Sequence, residues 1–186
     1  MKEQKENMYI YCKEETPASM AAAISANLIH IRSQSLKQAL ARFEGANHKL
    51  EFVKTIRGVK FVDDAAASNA HAVWYALESV DELTSVVWIM NMNDIEAIND
   101  VLLELIDKKV KSIVIQGVYN PEMIDFFSGI GKEISYVAHL EDAVRSAFYT
   151  CEQGDEVLYS PGVPHGNTYN SYEARGEKFQ EAIAQL

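Results

Sequence analysis

Val86-Val87-Trp88-Ile89-Met90 is an unbroken apolar run. A strand wet on one face alternates apolar and polar residues, whereas a run without alternation fits a strand covered on both faces, as in a parallel sheet lined by helices. On its C-terminal side, Asp94 to Asp107 carries Ile95, Ile98, Leu102 and Leu105 at helical spacing. Ser112 to Ile115 is a second buried strand, Pro121 to Phe127 a short helix and Ile134 to Val137 a strand. A helix from Leu140 to Cys151, a strand from Glu156 to Ser160 and a final helix with Tyr172, Phe179 and Ile183 complete the chain. On the N-terminal side, Asn69 to about Val80 reads as a helix with Val73, Trp74 and Leu77 on one face. Before it, Leu50 to Ile56 and Val59 to Val62 flank the turn signal Arg57-Gly58, which predicts a β-hairpin.

Strands alternating with helices at this spacing predict βαβ units. The expected fold is α/β: a mainly parallel, Rossmann-like sheet covered by helices on both faces, with an N-terminal helical segment. In that segment Thr16-Pro17 starts a helix through Met20, Ile24, Leu28 and Ile31, and Ser35 caps a second one that ends at Gly45. The expected division is therefore residues 1–45 and an α/β domain over 46–186.

Hydrophobic residues make up 48% and charged residues 24% of the 186, the balance of an ordinary globular domain. No run approaches the roughly 18–20 apolar residues of a membrane span, and Met8 to Tyr11 is too short for a secretory core. A cytoplasmic location is the expectation. The formal net charge of −10 disfavours nucleic acid or an anionic membrane as partner, since both would be repelled. Cys12 and Cys151 have no metal-ligand spacing and read as reduced bystanders.

In sheets of this kind ligands bind beyond the carboxyl ends of the strands. Three segments fall there: Asp63 to Asn69, Asn91 to Asp94, and Ser160 to Asn170. For Asp63 and Asp64 two readings stand, a ligand or metal contact and a cap for the helix near Asn69, with capping preferred. Adjacent acids with His71 make a poor metal set, because neighbours in a loop rarely converge on one ion. His165, in Pro164-His165-Gly166, is either an acid/base or hydrogen-bonding group or an idle turn residue. His30 and His139 read as surface or boundary positions, and Trp74 and Trp88 as core.

Several stretches, in order, resemble the C-terminal domain of the Mur ligases, closest to the UDP-N-acetylmuramoylalanine–D-glutamate ligases. Asn47-His48-Lys49-Leu50-Glu51 resembles the family's His-Arg-hydrophobic-Glu strand. Asp63-Asp64-Ala65-Ala66-Ala67-Ser68-Asn69 resembles its Asn-Asp-Ser-Lys-Ala-Thr-Asn loop. Ser160-Pro161, then Tyr169, Tyr172-Glu173-Ala174-Arg175-Gly176 and Phe179, resemble its Ser-Pro-Ala…Phe…Phe-Glu-x-Arg-Gly-x-x-Phe ending. The resemblance spans about Ser19 to Leu186. It implies a ligand-binding set of Lys49, Asp64, Ser68, Asn69, Ser160, His165 and Tyr172, with no catalytic residue and no metal ligand assigned.

The departures from the family pattern fall on binding groups. Its loop lysine, a cation suited to an amino acid's carboxylate, falls at Ala66, and its threonine at Ser68. Its substrate-contacting serine and phenylalanine fall at His165 and Tyr172. A glycine-rich turn is replaced by Met90-Asn91-Met92-Asn93, and Lys49 stands for an arginine without the bidentate fork. The family's nucleotide-binding His-Asn pair and second Asn fall at Glu14, Glu15 and Ala18. Ser128-Gly129-Ile130-Gly131-Lys132-Glu133 lacks the spacing and hydroxyl of a phosphate loop and reads as a turn. ATP and Mg²⁺ serve the intact family, and neither is expected to bind this chain alone. The resemblance thus implies a non-catalytic domain acting on an amino-acid or UDP-muramoyl ligand or on a protein partner. The alternatives are the substrate-binding half of a split ATP-dependent ligase and a structural remnant.

Overall fold

The computed structural model describes residues 47–166 and 168–186, which lie in one compact unit. The readings made for residues 1–45, including the two N-terminal helices, Cys12 and His30, lie outside the described residues. Six strands run β1 (Glu51–Ile56), β2 (Val59–Asp63), β3 (Val86–Met90), β4 (Val110–Gln116), β5 (Glu133–Val137) and β6 (Glu156–Tyr159). The helices are α1 (Ala70–Ser79), α2 (Asp100–Lys109), α3 (Pro121–Gly129), α4 (Leu140–Thr150) and α5 (Tyr172–Ala184). They form one sheet in the order β1-β2-β6-β3-β4-β5, parallel except for the antiparallel β1–β2 hairpin.

The apolar run lies where its composition requires. β3 is flanked by β6 and β4, with Trp88 level with Leu158 and Ile113. Val86, Trp88 and Met90 join one core with Val73 and Leu77 of α1, Leu102 and Ile106 of α2 and Phe127 of α3. Val87 and Ile89 join the other, with Val144 and Ala147 of α4 and Phe179 and Ile183 of α5. Both faces of the strand are therefore apolar because each packs a helical layer, and no polar face is left to alternate. Among the described residues no helix is long and apolar enough to cross a membrane.

One boundary differs from the sequence reading. The helix expected from Asp94 starts at Asp100, because Asn99 is its cap: its side-chain oxygen accepts from Leu102 N at 2.9 Å. Upstream, Asp94 Oδ1 takes the Glu96 N–H at 3.0 Å, and Ile98 N donates to Ile95 O at 2.9 Å, closing a separate turn. Ile95 and Ile98 still pack on the core, so the spacing reported burial correctly and the backbone form incorrectly. Of the Ser128–Glu133 stretch read as a turn, Ser128 and Gly129 close α3 and Glu133 opens β5; the turn is Ile130–Gly131, with Gly131 N donating to Ser128 O at 3.0 Å and Gly131 at φ +79°.

Candidate functional site at the strand ends

β2, β6 and β3 are neighbours, so the loops that leave their carboxyl ends meet. Asp64 N donates to Tyr159 O at 2.8 Å, Ser160 N to Ile89 O at 3.2 Å and Asn91 N to Pro161 O at 3.0 Å, which extends the pairing past the strands. Ser160 is fully buried, and its hydroxyl donates to Asp64 Oδ2 at 2.7 Å. From below, the Trp88 indole N–H donates to Ser160 O at 2.8 Å. Burial pushes the Asp64 carboxyl up to about 7, against the opposing pull of the Ser160 hydroxyl, the Leu50 N–H and the Lys49 charge. Burial also lowers the Lys49 amine, and Asp64 works against that.

Asp63, the last residue of β2, is wholly buried and turned to the other side. Its Oδ1 accepts from Ala65 N at 2.9 Å. Its Oδ2 lies 2.7 Å from His48 Nδ1 and accepts from Gln180 Nε2 at 3.2 Å. Burial raises this carboxyl too, with the His48 hydrogen bond the leading opposing effect. The capping reading of the two aspartates is thereby corrected. Asn69 itself caps α1, its Oδ1 accepting from Ala72 N at 3.0 Å, while both carboxylates point inward to His48 and Ser160. His71 is exposed on α1, apart from the inward-facing carboxylates.

Arg175, 2% exposed on α5, bolts the two loops together. Its Nη1 donates to Val163 O at 3.0 Å, and its Nη2 to Ala65 O at 2.6 Å and Ala67 O at 3.5 Å. Next to it, Gly176 lies flat against His48: a Cβ there would fall 2.2 Å from the imidazole Nδ1. Sequence alone marks His48 as a strand residue and Arg175 as part of the family-like ending, without the pairing between their segments. The signal was a histidine before β1, an aspartate ending β2 and an Arg-Gly pair, which have meaning only together.

Of the residues expected to bind ligand, the structure brings Lys49, Asp64 and Ser160 together. Ser68 and Asn69 are exposed on the rim. His165 faces its own loop, with Nδ1 2.9 Å from Tyr169 O and 3.0 Å from Gly166 O. Tyr172 opens the first turn of α5, where its hydrogen bond to Glu173 is the leading cause of a raised phenol pKa.

The crevice between the ends of β3 and β6, where the chain direction across the sheet reverses, is the usual ligand position in such folds. Here Met92 occupies it. This side chain is 3% exposed and packs so tightly on Gly162 that a Cβ there would meet its Cγ at 2.5 Å and its Sδ at 2.7 Å. Beside this plug a cleft of about 420 Å³ stays open, lined among others by Gln116, His139, Glu141, Tyr169, Asn170 and Lys178. The start of α4 borders it, and His139 provides no side-chain cap there.

Stability should report the Asp64 environment. A carboxyl held at about 7 when folded, against 3.8 ordinarily, binds its proton more tightly in the folded state. Its contribution to stability is present below about pH 4 and lost as pH rises through about 7. Asp64→Asn keeps an oxygen for the Ser160 hydroxyl but cannot ionise. Urea midpoints measured from pH 5 to pH 8 should therefore decline less in the variant than in the parent; parallel declines would count against the assignment.

No family model matches the chain. The UDP-N-acetylmuramoylalanine–D-glutamate ligase of Christiangramia forsetii is 35% identical over 174 residues, covering 94% of this chain and 39% of that protein. The enzyme of the same name from Bacteroides fragilis is 35% identical over 169 residues, covering 90% and 38%. The chain thus spans under two fifths of the length of these curated relatives. Among solved structures, the UDP-N-acetylmuramate–alanine ligase of Thermotoga maritima superposes with a TM-score of 0.53 at 15% identity, over 80% of this chain and 32% of that one. A murein peptide ligase from Psychrobacter arcticus gives 0.53 at 14% identity, over the same shares. With the strand-end loops laid out as above, the chain is a relative of the Mur ligases, similar over nearly its whole length to part of a UDP-N-acetylmuramoylalanine–D-glutamate ligase.

Proposed function

We propose that this domain is a non-catalytic Mur-ligase relative that acts by binding a small amino-acid-type ligand at its carboxyl strand edge. The observation that carries this reading is the exchange of an occupied crevice for an open one. Met92 fills the switch-point crevice, the loop position suited to a cation is Ala66, and Arg175 spends its donors on backbone carbonyls. The neighbouring cleft of about 420 Å³ retains Lys178, Glu141 and the start of α4, and its size lies within the range for small-ligand sites. A zwitterion suits such walls, its carboxylate toward Lys178 and the helix start and its ammonium toward Glu141. Relatives bear the name of an enzyme joining D-glutamate to UDP-N-acetylmuramoylalanine, so D-glutamate and that precursor head the candidate ligands.

The intact Asp64–Ser160–Arg175 framework favours a second reading, the substrate-binding half of a split ATP-dependent ligase. ADP release separates the two. The chain is incubated with ATP, Mg²⁺, UDP-N-acetylmuramoylalanine and D-glutamate, with and without the remaining portion of a relative's ligase. The binding reading expects no substrate-dependent ADP in either mixture. Turnover only after the supplement establishes the split ligase, and turnover by the chain alone overturns both readings.

A further inference from the structure

We propose that His48, Glu51 and Asp63 form a divalent-metal site, best matched to Zn²⁺, that clips the segment before β1 to the end of β2. Their ligand atoms all lie within 4.8 Å of one another. His48 Nδ1 is 2.7 Å from Asp63 Oδ2 and 4.0 Å from Glu51 Oε2. Zinc bonds of about 2.0–2.2 Å in a tetrahedron set neighbouring ligand atoms roughly 3.4 Å apart. The two distances bracket that value, so adjustments of about 0.6–0.7 Å in these two pairs bring them to it.

The donor set agrees with the geometry. One imidazole and two carboxylates are borderline and hard ligands, the mixture zinc accepts and copper(I) or a thiolate-seeking ion does not. Two carboxylates balance the two charges of the cation, which removes most of the penalty for placing it beside a wholly buried Asp63. Gln180 reaches both partners from α5, with Nε2 3.2 Å from Asp63 Oδ2 and 3.4 Å from His48 Nδ1. Turned about its last bond, its amide oxygen becomes the fourth ligand and ties α5 into the clip.

The backbone presents the set in a fixed form. His48 has φ 58° and Leu50 φ 47°, conformations that side chains other than glycine adopt at a cost. His48 O accepts from Ala66 N at 2.9 Å, and His48 N donates to Glu51 Oε2 at 2.8 Å. The Glu51 side chain is 41% exposed, which leaves an approach from solvent. These positions are independent of the proposed ligand function, and either can fail without the other.

The full chain is stripped with a chelator and titrated with Zn²⁺ against a chromophoric competitor, and with Co²⁺ for its visible spectrum. One equivalent is expected to bind, with a Co²⁺ band set of tetrahedral N/O type without thiolate charge transfer. Glu51→Gln keeps an oxygen for the His48 N–H and removes the charge. It should weaken binding by more than the roughly 10–100-fold typical of losing one outer-shell partner, while the metal-free melting temperature stays put. His71→Gln, on the exposed face of α1, should leave affinity unchanged. Absence of stoichiometric uptake overturns the site, as does uptake that Glu51→Gln and His48→Gln leave unaltered.

Discussion

Arg175→Ala is expected to destabilise the domain by about 3–5 kcal/mol, through the loss of several charge-assisted hydrogen bonds to buried backbone carbonyls. The guanidinium is almost wholly enclosed, and its donors reach carbonyls in two loops that are otherwise separate in sequence, at Ala65 and Ala67 and at Val163. Truncation leaves those carbonyls without their charged donor, each a loss of about 1.5–3 kcal/mol for a hydrogen bond to an ionised group. The total is less than the sum, because the parent already bears the desolvation that pushes the Arg175 pKa down and leaves Nε without a partner among the described residues. Arg175→Lys restores the charge but not the fork, so it should recover under half of the loss. Chemical denaturation gives both numbers; a lysine variant as stable as the parent would show that charge alone, and not the bolt geometry, holds the loops.

Trp88→Ala should cost a similar amount, about 3–5 kcal/mol, from the lost transfer energy of a large ring and the cavity left behind. Trp88 has no exposed surface and meets Phe127 edge-on, with ring centroids 6.2 Å apart. Its indole N–H also supports Ser160 O, and through Ser160 it supports Asp64. Trp88→Phe separates the two contributions. Most of the bulk stays, while the Ser160 carbonyl loses its donor at a cost of about 1–3 kcal/mol. The phenylalanine variant should also alter the decline of stability between pH 5 and pH 8, because the hydroxyl facing Asp64 is no longer fixed from below. An unchanged pH dependence would mean that the core and the site are not coupled through this residue.

The fold was legible because its decisive signals are local. Apolar runs without alternation, the Arg57-Gly58 turn and the helical spacing of buried residues each need only a short window, and among the described residues only 94–99 departs from the element expected. Boundaries depended on caps. Asn99 ends the irregular stretch after β3, and nothing in the apolar spacing separates Ile98, in a turn, from Leu102, in a helix. The site was legible in position and less so in its pairings. Asp64 and Ser160 are 96 residues apart and meet because β2 and β6 are neighbours, an order that local spacing does not fix. For the aspartates, sequence favours capping over a ligand contact because caps are common. That Asn69 already fills the role, freeing both carboxylates to turn inward, is a matter of backbone direction at the end of β2. Met92 as a plug was likewise hidden, since a methionine replacing a glycine-rich turn announces a loss of glycine and not what the side chain then fills.

The most direct test of ligand binding without catalysis is thermal unfolding of the full chain titrated with D-glutamate, other amino acids, UDP-N-acetylmuramoylalanine and ATP. A ligand at roughly 100 times its dissociation constant adds about 2.7 kcal/mol to the folded state, a shift readily read in the midpoint. The expected result is a saturable rise with an amino-acid-type ligand, abolished in Lys178→Ala, and no rise with ATP. A rise with ATP, or flat midpoints across the whole series, would contradict it.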